Sequence, residues 1–186
     1  MPTVTTSTRP VHARATILRA PALPNLPWRD RPAGCDDLLW RHPANPILGR
    51  NPIPQGSCVY NSAVVPFRDG FAGVFRVDYK NTLPFLHVGW SGDGLDWTLE
   101  HEQIEFVQPN GTLARLGYGY DPRVTPIDGE FIVAWCNEFR GPTIGLARTT
   151  DFRTFHQLEN AFVPFNRNGV LFPKKIKGLY TLLHRP

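Results

Sequence analysis

The stretch FLHVGWSGDGLDWTLEHEQIEF (residues 85–106) has a counterpart further along the chain, TIGLARTTDFRTFHQLENAFVPF (residues 143–165). Each copy has an apolar strand, then a Ser or Thr two residues before an Asp, and an aromatic residue four positions after that Asp. Asp93 matches Asp151 and Trp97 matches Phe155, both at an offset of 58 residues. A turn in which the Asp side chain accepts backbone N–H bonds, with an aromatic ring packed beneath it, accounts for such a motif.

Another pair of strands comes before each copy of this repeat. SAVVPF and GFAGVFRVD precede the first copy, and RVTPI and EFIVAWCNEF precede the second. These runs are rich in Val, Ile, Phe and Trp and are bounded by Gly, Pro, Asp and Asn, which is typical of strands. No segment keeps a 3.6-residue apolar period over three turns, so the sequence predicts an all-β chain. Four strands per repeat indicate a β-propeller blade.

The number of blades bounds the domain organisation. KKIKGLYTLLHRP matches the opening strands of a third blade, so the chain is predicted to cover about two blades and the start of a third. Propellers close with roughly four to eight blades. Residues 26–186 are therefore expected to be the N-terminal part of a truncated propeller domain, whose later blades come from a longer protein or a partner. Residues 1–25, rich in Pro, Thr, Arg and Ala, are expected to be a flexible N-terminal extension.

Composition argues against several classes of partner. The net charge of +4 comes from 20 Lys and Arg against 16 Asp and Glu without a run of five like charges, so no nucleic acid is expected. No apolar stretch reaches the ~18 residues that span a bilayer, so no membrane association is expected. Cys35, Cys58 and Cys136 are widely spaced, with no CxxC pair, which argues against a zinc site. Free thiols are typical of a reducing compartment, so a cytoplasmic location is predicted.

Polar residues lie near the start of the first strand of each predicted blade. First strands line the central channel of a propeller, so their polar side chains are expected to converge near the axis although they are distant in sequence. The candidates are Asn61 and Ser62 in blade one, Tyr120 and Asp121 in blade two, and Arg167 and Asn168 in blade three, with Arg76 and Arg185 on neighbouring strands.

Each candidate also has an ordinary structural interpretation. Asp121 before a proline is typical of a turn or strand start, and NRNG around Arg167 is good turn chemistry. Arg76 alternates with Phe75 and Val77, as a solvent-facing strand residue does. Taken singly, these interpretations are favoured. Repetition at equivalent positions of successive blades favours a functional site.

Several motifs in order resemble glycoside hydrolase family 130, the inverting β-mannoside phosphorylases, which are five-bladed β-propellers. They are LPWRDRPAGCDDLLWRHPANPI, NPILGRNPIP, YNSAVVPF, GFAGVFRVD, YGYDPRVTPIDGEFIVAWCNEF and NRNGVLFPKKIKGLYTLLHRP. The resemblance runs from about Leu26 to the last residue. LPWRDRPAG and GFAGVFR are most similar to the 4-O-β-D-mannosyl-D-glucose phosphorylases of that family.

The resemblance implies a role for each candidate. Asp121 would be the catalytic acid, with its proton passed through the mannose 3-hydroxyl. Arg167, Asn168 and Arg185 would bind phosphate. The substrate-binding positions implied are Asn61, Ser62, Arg76, Asp78 and Tyr120, with Arg76 and Asp78 towards the acceptor sugar. The partners implied are a small-molecule β-mannoside and inorganic phosphate as co-substrate, with no metal and no organic cofactor.

The residue chemistry agrees with phosphorolysis. An inverting glycosidase needs an acid and a base, whereas phosphate is already an anionic nucleophile and needs a cationic cradle, which arginines supply. The expected reaction converts mannosyl-glucose and phosphate into α-mannose 1-phosphate and glucose. The alternatives are an inverting β-mannoside hydrolase, and a sugar-binding or inactive fragment. The sequence leaves open the acceptor (glucose, mannose or an oligosaccharide) and assembly into a homo-oligomer.

Overall fold

The first sheet has four antiparallel strands that follow one another in sequence. The computed structural model describes residues 27–138 and 140–186, so the predicted flexible extension lies outside the described residues. The strands pair in the order β1-β2-β3-β4. Their bounds are β1 (Gly56–Phe67), β2 (Gly70–Tyr79), β3 (Pro84–Ser91) and β4 (Thr98–Leu99). This up-and-down order is that of a propeller blade, as predicted.

The second sheet has six strands, two more than the sequence repeat predicts. Their bounds are β5 (Glu105–Val107), β6 (Leu113–Arg115), β7 (Tyr120–Ile127), β8 (Glu130–Glu138), β9 (Pro142–Thr149) and β10 (Phe155–Gln157). The order is β6-β5-β10-β9-β8-β7, with β5 parallel to β10 and the other pairs antiparallel. Strand β5, which begins at the end of the first copy of the repeat, therefore belongs to the second blade and not to the first. It lies beside β10, and β6 forms the edge of the sheet.

The third sheet contains β11 (Arg167–Leu171) and β12 (Leu182–Arg185), paired antiparallel. The described residues contain two complete blades and the start of a third, which confirms the predicted fold class. They include no helix, and so none that is long and apolar enough to cross a membrane.

The apolar runs that mark two first strands in the sequence begin later than the strands themselves. SAVVPF begins at Ser62, but β1 begins at Gly56. RVTPI begins at Arg123, but β7 begins at Tyr120, beside Asp121, which was expected near the start of this strand. In both strands a bulge interrupts the alternation of buried and exposed residues. The apolar pattern is therefore clear only after the bulge, because an extra residue shifts the side-chain period by one.

The turn that follows the third strand of each blade repeats in detail. In blade one, Ser91 Oγ accepts hydrogen bonds from the N–H groups of Asp93 and Gly94, and Asp93 Oδ1 accepts from Leu95 and Asp96. In blade two, Thr149 and Asp151 accept the four equivalent bonds. These backbone donors hold the pKa of both Asp side chains below its usual value. The geometry confirms the Asp-fixed turn that the repeat predicts.

One apolar core joins the first two sheets. Phe67 of β1 packs edge-on against Phe152, with ring centroids 5.2 Å apart, and Phe106 of β5 stacks on Trp135 of β8 at 4.8 Å. The buried members of this core are Val65, Ala72, Val74, Leu86, Val88, Ile104, Phe106, Val133, Trp135, Ala147, Phe152 and Phe155. Burial of each large side chain stabilises the fold by roughly 1.5–3 kcal/mol. The core fixes blade one against blade two, and so fixes β1 and β2 relative to β7.

Candidate active site

The first strand of each blade carries the same irregularity. Tyr60 pairs with Arg76 and Ala63 with Val74, so Asn61 and Ser62 of β1 oppose one residue of β2. The register shifts in the same way between Tyr120 and Arg123 and between Arg167 and Val170. Each shift is a β-bulge, a feature that re-aims side chains and is common beside active sites.

The residues at the bulges share an unusual backbone conformation. Asn61, Asp121 and Asn168 have φ angles of 36°, 50° and 53°, in the left-handed region. Asn and Asp are the residues besides Gly that adopt this region most readily. The next residue of the β7 bulge is Pro122, which lacks an N–H group and is tolerated in a strand at such positions. The local sequence therefore suits the bulge in each blade.

Asp121 lies where blades one and two meet. Its Oδ1 atom accepts hydrogen bonds from Asn61 Nδ2 and from Arg76 Nη1, both at 2.9 Å. In the described part of the chain, no hydrogen bond reaches its Oδ2 atom. The carboxyl group is therefore anchored through one oxygen, and the other is available to a ligand.

Arg76 holds two carboxylates at once. Its Nε and Nη2 atoms donate to the two oxygens of Asp78 at 2.7 and 3.0 Å, while Nη1 donates to Asp121. The guanidinium carbon lies 5.3 Å from the ring centroid of Tyr60 and 5.4 Å from that of Tyr120. The bonds to Asp78, with a further contribution from Asp121, raise the pKa of Arg76. Arg76 thus stays charged and fixes the direction of both carboxylates.

Arg167 and Arg185 lie side by side on the third sheet. They are direct cross-strand partners in β11 and β12, and Arg167 Nη1 donates to Tyr120 Oη at 3.1 Å. Burial raises the pKa of Tyr120, so its hydroxyl remains protonated. Neither arginine forms an ion pair with a carboxylate of the described residues. Like charges directly opposite each other repel, and an anion bound between them would relieve that repulsion.

Asn168 is fixed by a cysteine on the second blade. Cys136 Sγ donates to Asn168 Oδ1 at 3.0 Å and accepts from the Asn168 N–H at 3.1 Å. Burial raises the pKa of the Cys136 thiol, so the S–H donor is retained. The Oδ1 atom and the backbone N–H of Asn168 are therefore both bonded to Cys136, and the bulge that follows Arg167 is held in place.

Ser62 lies apart from this cluster. Its hydroxyl donates to the backbone oxygen of Tyr60 at 3.4 Å, and it lines a mainly apolar cavity of about 390 Å³ with Phe75 and Trp97. The structure thus brings together seven of the predicted residues and places Ser62 behind the strand. These seven are Asn61, Arg76, Asp78, Tyr120, Asp121, Arg167 and Arg185, while Asn168 lies next to them through Cys136. Among the described residues, no group of three His, Cys, Asp or Glu side chains could hold a metal ion.

Sequence reasoning missed Tyr60 and Cys136. Tyr60 precedes the left-handed residue of its bulge, as Tyr120 and Arg167 do in the next two blades. Alignment of the three bulges could have found it, but the bulges are not visible without the strand register. In the sequence Cys136 is only an isolated cysteine. Its bond to Asn168 joins residues 32 positions apart, so no local pattern could reveal it.

Comparisons with known proteins point to one family. The profile of glycoside hydrolase family 130, described as beta-1,4-mannooligosaccharide phosphorylase, matches residues 22–186. A beta-1,4-mannooligosaccharide phosphorylase from Ruminococcus albus is 49% identical over 180 residues, which is 93% of this chain and 54% of that protein.

Solved structures show the same fold at low sequence identity. A beta-1,2-mannobiose phosphorylase from Listeria innocua, in complex with beta-1,2-mannobiose, aligns with a TM-score of 0.57 and 20% identity over 69% of this chain and 51% of that one. A structure from a study of family 130 glycoside hydrolases that target β-1,2 mannosidic linkages in Candida mannan aligns with a TM-score of 0.62 and 15% identity, over 76% and 51%. These neighbours are five-bladed propellers. The chain spans about half the length of the relatives it matches.

Proposed function

This chain belongs to glycoside hydrolase family 130, and we propose that it acts in the inverting phosphorolysis of β-1,4-mannosides. A phosphate oxygen forms a bond to the anomeric carbon as the bond from that carbon to the acceptor oxygen breaks. The acceptor oxygen gains the proton that Asp121 supplies, by way of the mannose 3-hydroxyl. The products are α-mannose 1-phosphate and the acceptor sugar with a free 4-hydroxyl.

The observation that carries this proposal is the pair of arginines on the third sheet. Arg167 and Arg185 lie on adjacent strands, and neither forms an ion pair within the described part of the chain. Arg167 also reaches Tyr120, the neighbour of Asp121. Guanidinium groups match phosphate oxygens in geometry and charge. Phosphate bound here would stand beside the acid, as attack on the same sugar requires.

The state of the second carboxylate also supports phosphorolysis over hydrolysis. An inverting hydrolase needs a carboxylate base to activate water in addition to the acid. Asp78 is the carboxylate that lies with Asp121 around Arg76, but both of its oxygens accept bonds from that guanidinium. A carboxylate neutralised in this way is a poor base. Phosphate requires no base, so a single acid with a cationic cradle is sufficient.

The acceptor sugar is proposed to be glucose or a β-1,4-mannooligosaccharide. The LPWRDRPAG and GFAGVFR motifs favour glucose, whereas the named Ruminococcus albus relative favours a mannooligosaccharide. A cytoplasmic location is proposed from Cys35, Cys58 and Cys136, all free thiols. Assembly into a homo-oligomer remains a prediction of the family resemblance that light scattering can test.

Phosphate dependence tests the proposed reaction. The intact protein is incubated with mannosyl-glucose or β-1,4-mannobiose, with and without inorganic phosphate, and the anomeric products are followed by NMR. We expect α-mannose 1-phosphate to form only with phosphate. Release of free mannose without phosphate would identify a hydrolase, and binding without turnover would identify a sugar-binding protein.

Substitution of the arginines tests the cradle. Arg167→Ala and Arg185→Ala are each expected to raise the KM for phosphate at least about tenfold, since a charge-assisted bidentate contact contributes more than 1.4 kcal/mol. The KM for the mannoside should change little. Arg148→Ala is a matched control, because Arg148 is a half-exposed arginine of β9 that pairs with Glu130 and contacts neither Arg167 nor Arg185 among the described ion pairs and hydrogen bonds. Unchanged phosphate kinetics would remove the substituted arginine from the cradle.

A further inference from the structure

Tyr60 occupies the position in blade one that Tyr120 and Arg167 occupy in blades two and three. Each of the three directly precedes the left-handed residue of a bulge. Tyr60 is the cross-strand partner of Arg76, and cross-strand partners share one face of a sheet. Its side chain therefore lies on the face of blade one from which Arg76 reaches Asp121.

The ring of Tyr60 is open to a ligand. The side chain is 50% exposed, and the guanidinium carbon of Arg76 lies 5.3 Å from its ring centroid. Tyr120 lies on the same guanidinium at 5.4 Å but is partly buried and bonded to Arg167. An exposed aromatic face beside convergent polar groups is typical of a ligand subsite.

Tyr60 and the two arginines come from the blades before and after the blade that carries Asp121. Strand β7, which carries Asp121, contacts β1 and β2 of blade one and β11 of the third sheet. The proposed phosphate position at Arg167 and Arg185 is on the β11 side, and Tyr60 is on the β1 side. In an inverting displacement the nucleophile and the leaving group occupy opposite faces of the anomeric carbon. The side of Asp121 away from phosphate is therefore the leaving-group side.

We infer that Tyr60 is the platform on which the acceptor sugar packs, an inference that rests on the proposed function. Pyranose rings present axial C–H groups on their faces, and these pack on aromatic rings. Apart from the anomeric centre, both faces of a gluco-configured ring have only axial C–H groups, whereas a manno-configured ring has an axial 2-hydroxyl on one face. Tyr60 thus accepts either face of glucose and one face of mannose. The Arg76 and Asp78 pair beside it supplies the polar edge.

The test separates the ring of Tyr60 from its hydroxyl. Wild type, Tyr60→Ala and Tyr60→Phe are assayed with glucose and with mannose as acceptors from α-mannose 1-phosphate, and with phosphate in the forward direction. We expect Tyr60→Ala to raise the KM for both acceptors about tenfold, since loss of one aromatic contact removes a factor of that order. The acceptor KM of Tyr60→Phe should stay within about threefold of the wild-type value. The KM for phosphate should stay within about twofold of wild type in both variants. Tyr180→Ala removes an exposed tyrosine whose hydroxyl bonds Asp128 and none of the candidate site residues, and it should change none of these constants.

Calorimetric binding of mannosyl-glucose without phosphate separates this inference from the proposed reaction. Suppose that wild type turns over the substrate. If Tyr60→Ala then has the wild-type acceptor KM, or if its phosphate KM rises as much as its acceptor KM, the role of Tyr60 as a platform is refuted and the proposed reaction stands. If wild type binds the sugar without turnover, the reaction is refuted, and the ratio of Kd values for wild type and Tyr60→Ala decides the role of Tyr60. Absence of any sugar binding by wild type refutes both.

Discussion

Replacement of Arg76 by methionine should destabilise the protein by about 2–3 kcal/mol. The guanidinium donates three hydrogen bonds to two carboxylates, and the side chains of Asp78 and Asp121 are only 19% and 13% exposed. Loss of one partner from a fully buried ion pair costs ~3–5 kcal/mol, and loss of an exposed pair costs ~1 kcal/mol or less. These carboxylates lie between the two cases but closer to the first, because most of their surface is covered. Arg76→Lys keeps the charge but loses the planar fork, so an intermediate cost of about 1–2 kcal/mol is expected.

The interaction energy between Arg76 and Asp78 can be measured by urea unfolding of four proteins. These are wild type, Arg76→Met, Asp78→Asn and the double variant. The double variant should be less destabilised than the sum of the single variants by at least about 1 kcal/mol, because each substitution removes the partner of the other. Asp78→Asn also keeps the shape of the side chain, so packing changes are small. If Arg76→Met unfolds within about 0.5 kcal/mol of wild type, or if the two substitutions are additive, then Arg76 does not stabilise the fold through these carboxylates.

Three further predictions concern the acid, the thiol and the packing of blade two. Asp121→Asn should lower kcat at least about 10²-fold with little change in the urea midpoint, and normal turnover would exclude Asp121 as the acid. Cys136→Ala removes both bonds to Asn168 and should raise the KM for phosphate. Cys136→Ser keeps a donor and an acceptor, so it should raise that KM less. An equal rise in the KM for the mannoside would contradict a role of Cys136 in positioning the phosphate site. Gly145→Ala would place its Cβ 2.4 Å from Trp135 Cε2. It should lower the free energy of unfolding in urea by about 1–3 kcal/mol. No change would mean that the Trp135 ring can move away without cost.

The sequence predicted what is encoded locally. The Asp93 and Asp151 turns follow from side chains that bond to backbone groups within three residues, so two copies of the pattern were enough to find them. The blade count follows from the same repeat. Local patterns did not predict that β5 pairs in parallel with β10, because this pairing joins segments about fifty residues apart through strands of three residues each.

The candidate site was predicted in part, for a related reason. Asn61, Asp121 and Asn168 were found because their residue types and the family motifs mark them. Tyr60 was not found, because a tyrosine within a strand is ordinary until its register shows which face it occupies. Ser62 was expected in the sugar subsites from its position next to Asn61. In the structure Ser62 lines a cavity with Phe75 and Trp97, and its place in a sugar subsite stays a prediction.

The three bulges separate the backbone role of Asp121 from its chemical role. The left-handed region at this point of the strand favours Gly, Asn or Asp, since other side chains cost roughly 1–2 kcal/mol there. Asn61 and Asn168 adopt the same conformation at the equivalent bulges, so asparagine satisfies the backbone requirement. Of the three bulge residues only Asp121 has a carboxyl group, and no hydrogen bond from the described residues reaches its Oδ2 atom. Asp121→Asn therefore tests chemistry on an unchanged backbone, whereas Asp121→Ala would combine the loss of the acid with strain in β7.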